Sequence, residues 1–346
     1  NAAETESVPA AGGAAPADTL SFVQQGLTIH ELEKELERLR GEQAKVSEDI
    51  AALQEDLKRQ GERVKERKEA AGRVLRAYYM GHRDHMWLLL LKVRSLNEAL
   101  AVLDYLQAIW MHDTRTLALF RKAYDEMAAM LAELTAREER LGVLIGEYEA
   151  QYDRKLREQA ELERRLAELD EEEREAQLEA IAAATSEWEE IGVPLFENVL
   201  AALSGAMAEL PELLSDPSLI AVVDGGLEVR LTDETLNAFL QQRDPIFSMF
   251  TFHFSPDGLT VSGAVNDRTA SLSGTYEVQN EPVNALHFVI GSIVFNGAEL
   301  PDTTKKAMQE QYDLTFEPGN LVAGLTVREL FHEEGMLRVK IELSLF

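Results

Sequence analysis

The chain has 346 residues, 45% of them apolar, enough for two or three folding units with a real core. Its formal net charge of -28 sets aside nucleic acid and anionic membrane surfaces as general partners, because both repel an acidic chain. It holds no cysteine, which excludes a disulfide framework, a thiol nucleophile and a thiolate zinc site.

Residue 1 is Asn rather than Met, which reads as a processed or trimmed N-terminus. Residues 1–18 are rich in Ala, Gly and Pro with no periodic apolar face, and the expected flexible leader is drawn over 1–27. Such tracts follow removed signal peptides or lipoprotein anchors. The expectation is an extracytoplasmic protein, secreted or membrane-anchored in a bacterial envelope. The most apolar run, Met86 to Leu91, is far short of the ~20 residues of a membrane-crossing helix.

A heptad series begins at Ile29 and continues through Leu32, Leu36, Leu39, Gln43, Val46, Ile50, Leu53, Leu57, Gln60, Val64, Arg67, Ala71, Val74 and Tyr78. This three-four spacing, with charges elsewhere, is that of a coiled-coil seam. A second series runs Leu117, Phe120, Tyr124, Met127, Leu131, Leu134, Glu138, Leu141, Ile145, Tyr148, Tyr152, Lys155, Gln159, Leu162, Leu166 and Leu169. If the chain turns back between them, Tyr78 faces Leu117 and Ile29 faces Leu166, an intramolecular antiparallel hairpin. The rival is a parallel or swapped homodimer using the same seam.

Between the series, residues 81–113 break the heptad. Gly81 is a helix-stop candidate, and Ser95 with Glu98 forms a capping box opening a helix to about Met111. This helical cap is apolar and locally basic, with Arg73, Arg76, Arg83, Lys92 and Arg94 against Asp84. Its aromatic and Leu side chains exceed what so small a cap can bury. Tyr79, Arg83, Met86, Trp87, Leu90, Leu91 and Trp110 are therefore the candidate partner-docking residues, against the plainer reading of cap core.

Residues 161–190 are strongly acidic and helical. Pro194, Pro211 and Pro217 then punctuate short helices at 195–209 and 212–215, a helical linker over 191–217. After Pro217 the period becomes two. Leu227, Val229 and Leu231 alternate, Thr232 caps a short helix, and Phe250, Phe252 and Phe254 share a strand face. Ser255–Gly258 makes a turn, Leu286–Phe295 is a long apolar strand closed by Asn296-Gly297, and Pro301 starts a helix. Leu321–Phe331 and Met336–Leu345 close the chain as strands. Residues 218–346 thus read as an antiparallel sheet with two helices. Phe250, Phe252, Phe254 and Phe288 read as sheet core, or alternatively as contacts for a lipid chain.

Catalytic signals are missing. Of the seven His, only His82 and His85 are close in sequence, and with Asp84 they lack the four ligands of structural zinc. His82-Arg83-Asp84 has no glycine-rich loop or Asp-Phe-Gly beside it, and no nucleophile elbow or phosphate loop occurs. The expectation is no enzyme, no metal and no cofactor.

The stretch Arg73–Leu119 resembles the coiled-coil module of bacterial murein hydrolases and hydrolase activators controlled by the FtsE–FtsX transporter. The resemblance lies in Leu75-Arg76-Ala77-Tyr78-Tyr79-Met80-Gly81, the Leu-rich Trp87–Leu91, Ser95–Leu100, and Tyr105-Leu106 with Asp113 downstream. That family carries a catalytic-Cys peptidase or a zinc endopeptidase-like domain. This chain has no Cys and no His-x-His pair, so it departs there. Residues 218–346 more loosely resemble extracytoplasmic tubular lipid-binding-like domains, through Leu231-Thr232, Leu236-Asn237, Gly297–Pro301 and the strand after Glu334-Gly335.

The resulting expectation is an α+β multidomain chain, with an antiparallel coiled coil over 28–190 capped at 81–113 and an α+β domain over 218–346. Its expected role is a non-catalytic regulator of peptidoglycan remodelling that binds an FtsX-like transporter domain or a cell-wall hydrolase through the cap. The alternatives are a lipid carrier acting through the C-terminal domain, and a cryptic peptidoglycan hydrolase.

Overall fold

The computed structural model describes residues 17–81, 84–214, 216–223, 226–320, 322 and 324–343. The chain is α+β, a long helical N-terminal region followed by antiparallel sheet. It divides into Leu36–Ala150 and a second unit built from the flanking stretches, Asn1–Glu35 and Gln151–Phe346.

Within Leu36–Ala150, helix α1 (Ala17–Tyr79) leads through α2 (Asp84–Trp87) and a 3-10 turn at Leu88–Lys92 to α3 (Leu96–Ala167). Gly81, at φ 71°, ends the first helix, as a residue without Cβ does best. Ser95 opens α3, its hydroxyl accepting from Glu98 N–H at 3.2 Å. The two long helices pack antiparallel. Gln43 Nε2 donates to Leu144 O at 2.9 Å, and Gln60 Nε2 donates to Ala123 O at 3.0 Å. Arg140 and Arg137 pair with Glu42 and Asp49 at 2.7 and 3.2 Å.

Leu36, Leu39, Ile50, Gln60, Val64, Ala71 and Val74 of the first heptad series are buried. The second series is off by one residue at alternate turns. Ala123 and Leu144 turn inward, while Tyr124, Leu131 and Ile145 are exposed. The small Ala123 lets the buried Gln60 reach its carbonyl, so a large side chain was not wanted there. The register shifts accordingly, with residue 60 beside 123 rather than further along α3. The cap helix expected to end near Met111 continues unbroken to Ala167, with no Gly or Pro to stop it near Met111 and with Gly142 and Gly146 carried inside it.

The flanking unit begins with the first turns of α1. Phe22, Leu27 and Leu32 are buried, so residues 17–27 are core helix rather than leader, and residues 1–16 lie outside the described residues. Gly26 lies so close to α4 (Glu171–Glu187) that a Cβ would stand 2.4 Å from Ile181 Cγ2. Helix α4 opens on an Asp170–Glu173 capping box. It runs through a π-helical turn, Trp188–Gly192, into α5 (Val193–Leu214). Gly192 is required there because a Cβ would meet the Trp188 ring at 2.2 Å.

Residues 191–217 are not a linker. Leu195, Phe196, Val199, Leu200, Leu203, Ala206 and Leu210 of α5 are core, and Pro211 sits inside the helix without ending it. By length and composition the run Glu171–Leu214 is apolar enough to cross a membrane, against the sequence expectation, yet these side chains pack into the protein core.

Trp188 is fully buried between Phe196 and Phe295, and its Nε1 donates to Glu31 Oε1 at 2.8 Å. Thr304 Oγ1 donates to the other Glu31 oxygen at 2.6 Å, and Lys34 lies 3.6 Å away. A buried carboxylate is tolerated here because both oxygens are hydrogen-bonded.

The remaining chain makes β1 (Ile220–Val223), β2 (Gly226–Thr232), α6 (Asp233–Arg243), β3 (Phe250–Ser255), β4 (Gly258–Val265) and β5 (Arg268–Gln279). Then follow β6 (Ala285–Phe295), β7 (Ala298–Glu299), α7 (Asp302–Gln311), β8 (Thr315–Phe316), β9 (Leu325–Glu333) and β10 (Met336–Leu343). They form two antiparallel sheets, a four-stranded one ordered β1-β2-β10-β9 and a six-stranded one ordered β3-β4-β5-β6-β7 with β8 on β6. Asn296 and Gly297, at φ 49° and 86°, make the β6–β7 turn the Asn-Gly pair announces. Across β2 and β10, Leu231 faces Leu337, Val229 faces Val339 and Leu227 faces Ile341.

Candidate functional site

Those facing pairs form one wall of an apolar cavity of about 390 Å³. Leu325 and Val327 of β9 extend the wall. Phe254, Tyr276, Leu286 and Phe316 of the six-stranded sheet form the other side, and Met207, Leu210, Pro211 and Leu214 of α5 cover it with Leu236 of α6, Pro318 and Val322. No lining residue is charged, and Tyr276 alone carries a side-chain polar atom.

A void this size is costly when empty. At ~24 cal/mol per Å³ it amounts to about 9 kcal/mol, an upper bound because the cavity is partly open. That is comparable to a domain's whole stability, ~5–15 kcal/mol. Its volume is more than twice the ~150 Å³ of an engineered apolar cavity that stays dry and takes up benzene. It also lies in the ~300–1,000 Å³ range of ligand pockets, at the small end, suited to one slender apolar group.

Tyr276 marks a boundary. It lines the cavity and also an open cleft with Glu277, Val278, Arg328, Glu329, Leu330, Phe331 and His332. Its ring packs on Phe288 with centroids 5.0 Å apart, and its N–H donates to His332 Nε2 at 3.4 Å. Burial pushes the Tyr276 phenol above its ordinary pKa and the His332 imidazole below its own, so both are neutral near pH 7.

Of the four expected lipid contacts, only Phe254 lines the cavity. Phe250, Phe252 and Phe288 are buried in the core instead, Phe252 edge-on to Phe247 at 5.7 Å. The alternating Leu227-Val229-Leu231 and Leu337-Val339-Ile341 were visible as strand faces, but nothing in their pattern separates a ligand wall from a packed core. The α5 residues were hidden inside the supposed linker.

The expected docking residues fall in the Leu36–Ala150 unit. Tyr79 is 93% exposed, Leu91 81%, Trp110 63% and Trp87 61%. Met86 and Leu90 are half-buried. Arg83 and His82 lie outside the described residues, as does the His85 side chain. Leu106 and Asp113, which carry part of the resemblance, are buried. Among the described residues no cluster of three or more His, Asp or Glu is arranged to hold a metal ion.

No protein-family model matches the chain, and no curated protein matches it significantly.

Proposed function

We propose that this chain is a non-catalytic binding protein of the bacterial envelope that holds a single apolar chain, such as a lipid acyl chain, in the cavity of its C-terminal half. The observation that carries this reading is the cavity, about 390 Å³, partly open and lined by apolar side chains from two sheets and α5. Filling it with hydrocarbon recovers contacts that water cannot supply. The test is organic extraction and mass spectrometry of the full chain purified from a bacterial host. Near-stoichiometric single-chain or diacyl lipid is the expected result. Protein that carries no lipid and, once stripped, takes up no hydrocarbon probe overturns the reading.

A second reading rests on a separate observation, the exposed Tyr79, Trp87, Leu91, Leu96, Tyr105 and Trp110. The pairing of α1 with α3 is read as an antiparallel coiled coil whose cap docks an FtsX-like extracytoplasmic domain or a cell-wall hydrolase, and so regulates peptidoglycan remodelling. The local Arg and Lys excess favours a partner with an acidic rim around an apolar groove. Large aromatic anchors of this kind are worth ~2 kcal/mol or more each when buried at an interface. Trp87→Ala and Leu91→Glu are expected to abolish capture of such a domain while helicity stays at the wild-type level. Normal capture by both variants, or loss of helicity, refutes the docking role.

A further inference from the structure

The geometry points to Tyr276 as the residue that selects the head group of the bound lipid, favouring an uncharged, hydroxyl-bearing head such as a monoacylglycerol over a fatty carboxylate. This rests on the proposed acyl-chain cavity and adds what lies at its polar end. Tyr276 is the one lining residue shared by the cavity and the open cleft. No other lining side chain carries an oxygen or nitrogen, so a polar end has no side-chain hydrogen bond of that kind to make until it reaches this ring.

The Tyr276 hydroxyl makes no hydrogen bond among the described residues. It is free to donate to a ligand oxygen and to accept from a ligand hydroxyl. A site built to hydrogen-bond a hydroxyl discriminates strongly, because an unmatched partner leaves a polar group unpaired.

The charges around the cleft argue against an anionic head. Arg328 is already paired with Glu342, and Glu329 with Lys340 at 2.6 Å. His332 is held neutral by burial. Glu277 remains with no ion pair among the described residues. A carboxylate or phosphate arriving here finds no unengaged cation and one unbalanced carboxylate, and pays to leave water.

The experiment uses the full chain stripped of lipid, loaded with the uncharged fluorophore N-phenyl-1-naphthylamine, and displaced at pH 8 by monooleoylglycerol or by oleate. Monooleoylglycerol is expected to displace the probe at a concentration at least about tenfold lower than oleate. Tyr276→Phe keeps the ring against Phe288, and within that variant the ratio of oleate to monooleoylglycerol displacement concentrations is expected to fall below about threefold, whatever its own affinity for the probe. If wild type binds neither the probe nor any lipid, the cavity reading itself fails. If the probe binds but oleate competes equally well, or Tyr276→Phe keeps the full preference, the cavity stands and the role of Tyr276 is wrong.

Discussion

Val339→Phe tests the cavity by filling it. Val339 lies opposite Val229 in the β2–β10 pairing, and both line the void. At ~24 cal/mol per Å³, every ~40 Å³ of dry space filled returns about 1 kcal/mol. A phenyl ring pointed inward is therefore expected to stabilise the lipid-free protein by about 1 kcal/mol, roughly 2–4 °C in Tm for a domain of this size. The same ring occupies the ligand's place. Wild type, with ligand at ~100 times its Kd, gains about 2.7 kcal/mol, whereas the variant gains almost nothing. Thermal unfolding of stripped protein, with and without a saturating single-chain lipid, reads both effects. The signature is a pair of opposite changes, a higher Tm without ligand and a lost shift with it. A native core already packed to normal density reacts otherwise, because overpacking costs ~1–3 kcal/mol. A variant less stable than stripped wild type, or one that retains the full ligand shift, refutes the reasoning.

Glu31→Ala strands two buried donors, Trp188 Nε1 and Thr304 Oγ1. At ~1–3 kcal/mol for each unsatisfied group the loss should total about 2–6 kcal/mol in denaturant titrations followed by Trp fluorescence, and a loss under about 1 kcal/mol contradicts it. Burial holds the folded His332 pKa below its ordinary 6.5, so its stabilisation is complete above that value and declines as pH falls through the folded pKa. His332→Gln should flatten the acid side of a Tm–pH curve, and a curve parallel to wild type contradicts the assignment. His253 has the opposite sign. Its bond to Asp233 raises the folded pKa, so its contribution is present below 6.5 and lost as pH rises through that pKa, and His253→Gln should cost more at pH 5.5 than at pH 8. Purified protein mixed with peptidoglycan should release no soluble muropeptides, and release abolished by a point mutation would establish a hydrolase.

Much of the secondary structure was legible because local chemistry decided it. Ser95, Thr232 and Asn296-Gly297 each satisfy or bend the backbone within a few residues, and each sits where its side chain predicts. The α1 seam was legible because its inward positions are mostly Leu, Ile and Val. The α3 seam was misread wherever a small residue faces inward, as Ala123 does. Pattern reading favours the larger neighbour, Tyr124, which is exposed. Pro211 misled in the same way, since helix interiors rarely keep a proline, yet here its ring lines the cavity. Glu31 read as one more charge on a solvated helix. Its burial depends on Trp188 and Thr304, which no local window includes. The cavity was illegible for a related reason. A wall that holds a ligand and a wall that meets another wall use the same residues, and only the distance between the sheets separates them.

The Glu31 contact also sets an order of events. Glu31 and Thr304 are 273 residues apart in sequence. On the ribosome, the first turns of α1 emerge long before the strands and helix that will cover them. Leu27 and Glu31 must wait for partners in the last third of the chain, with Leu36–Ala150 synthesised in between. Closing so long a loop from a disordered chain is slow and costs entropy. A self-contained antiparallel helix pair, folded early, brings residues 35 and 151 together in advance and shortens the effective loop. By the same loop-closure reasoning, a helix pair that forms first is expected to speed folding of the unit whose chain it interrupts.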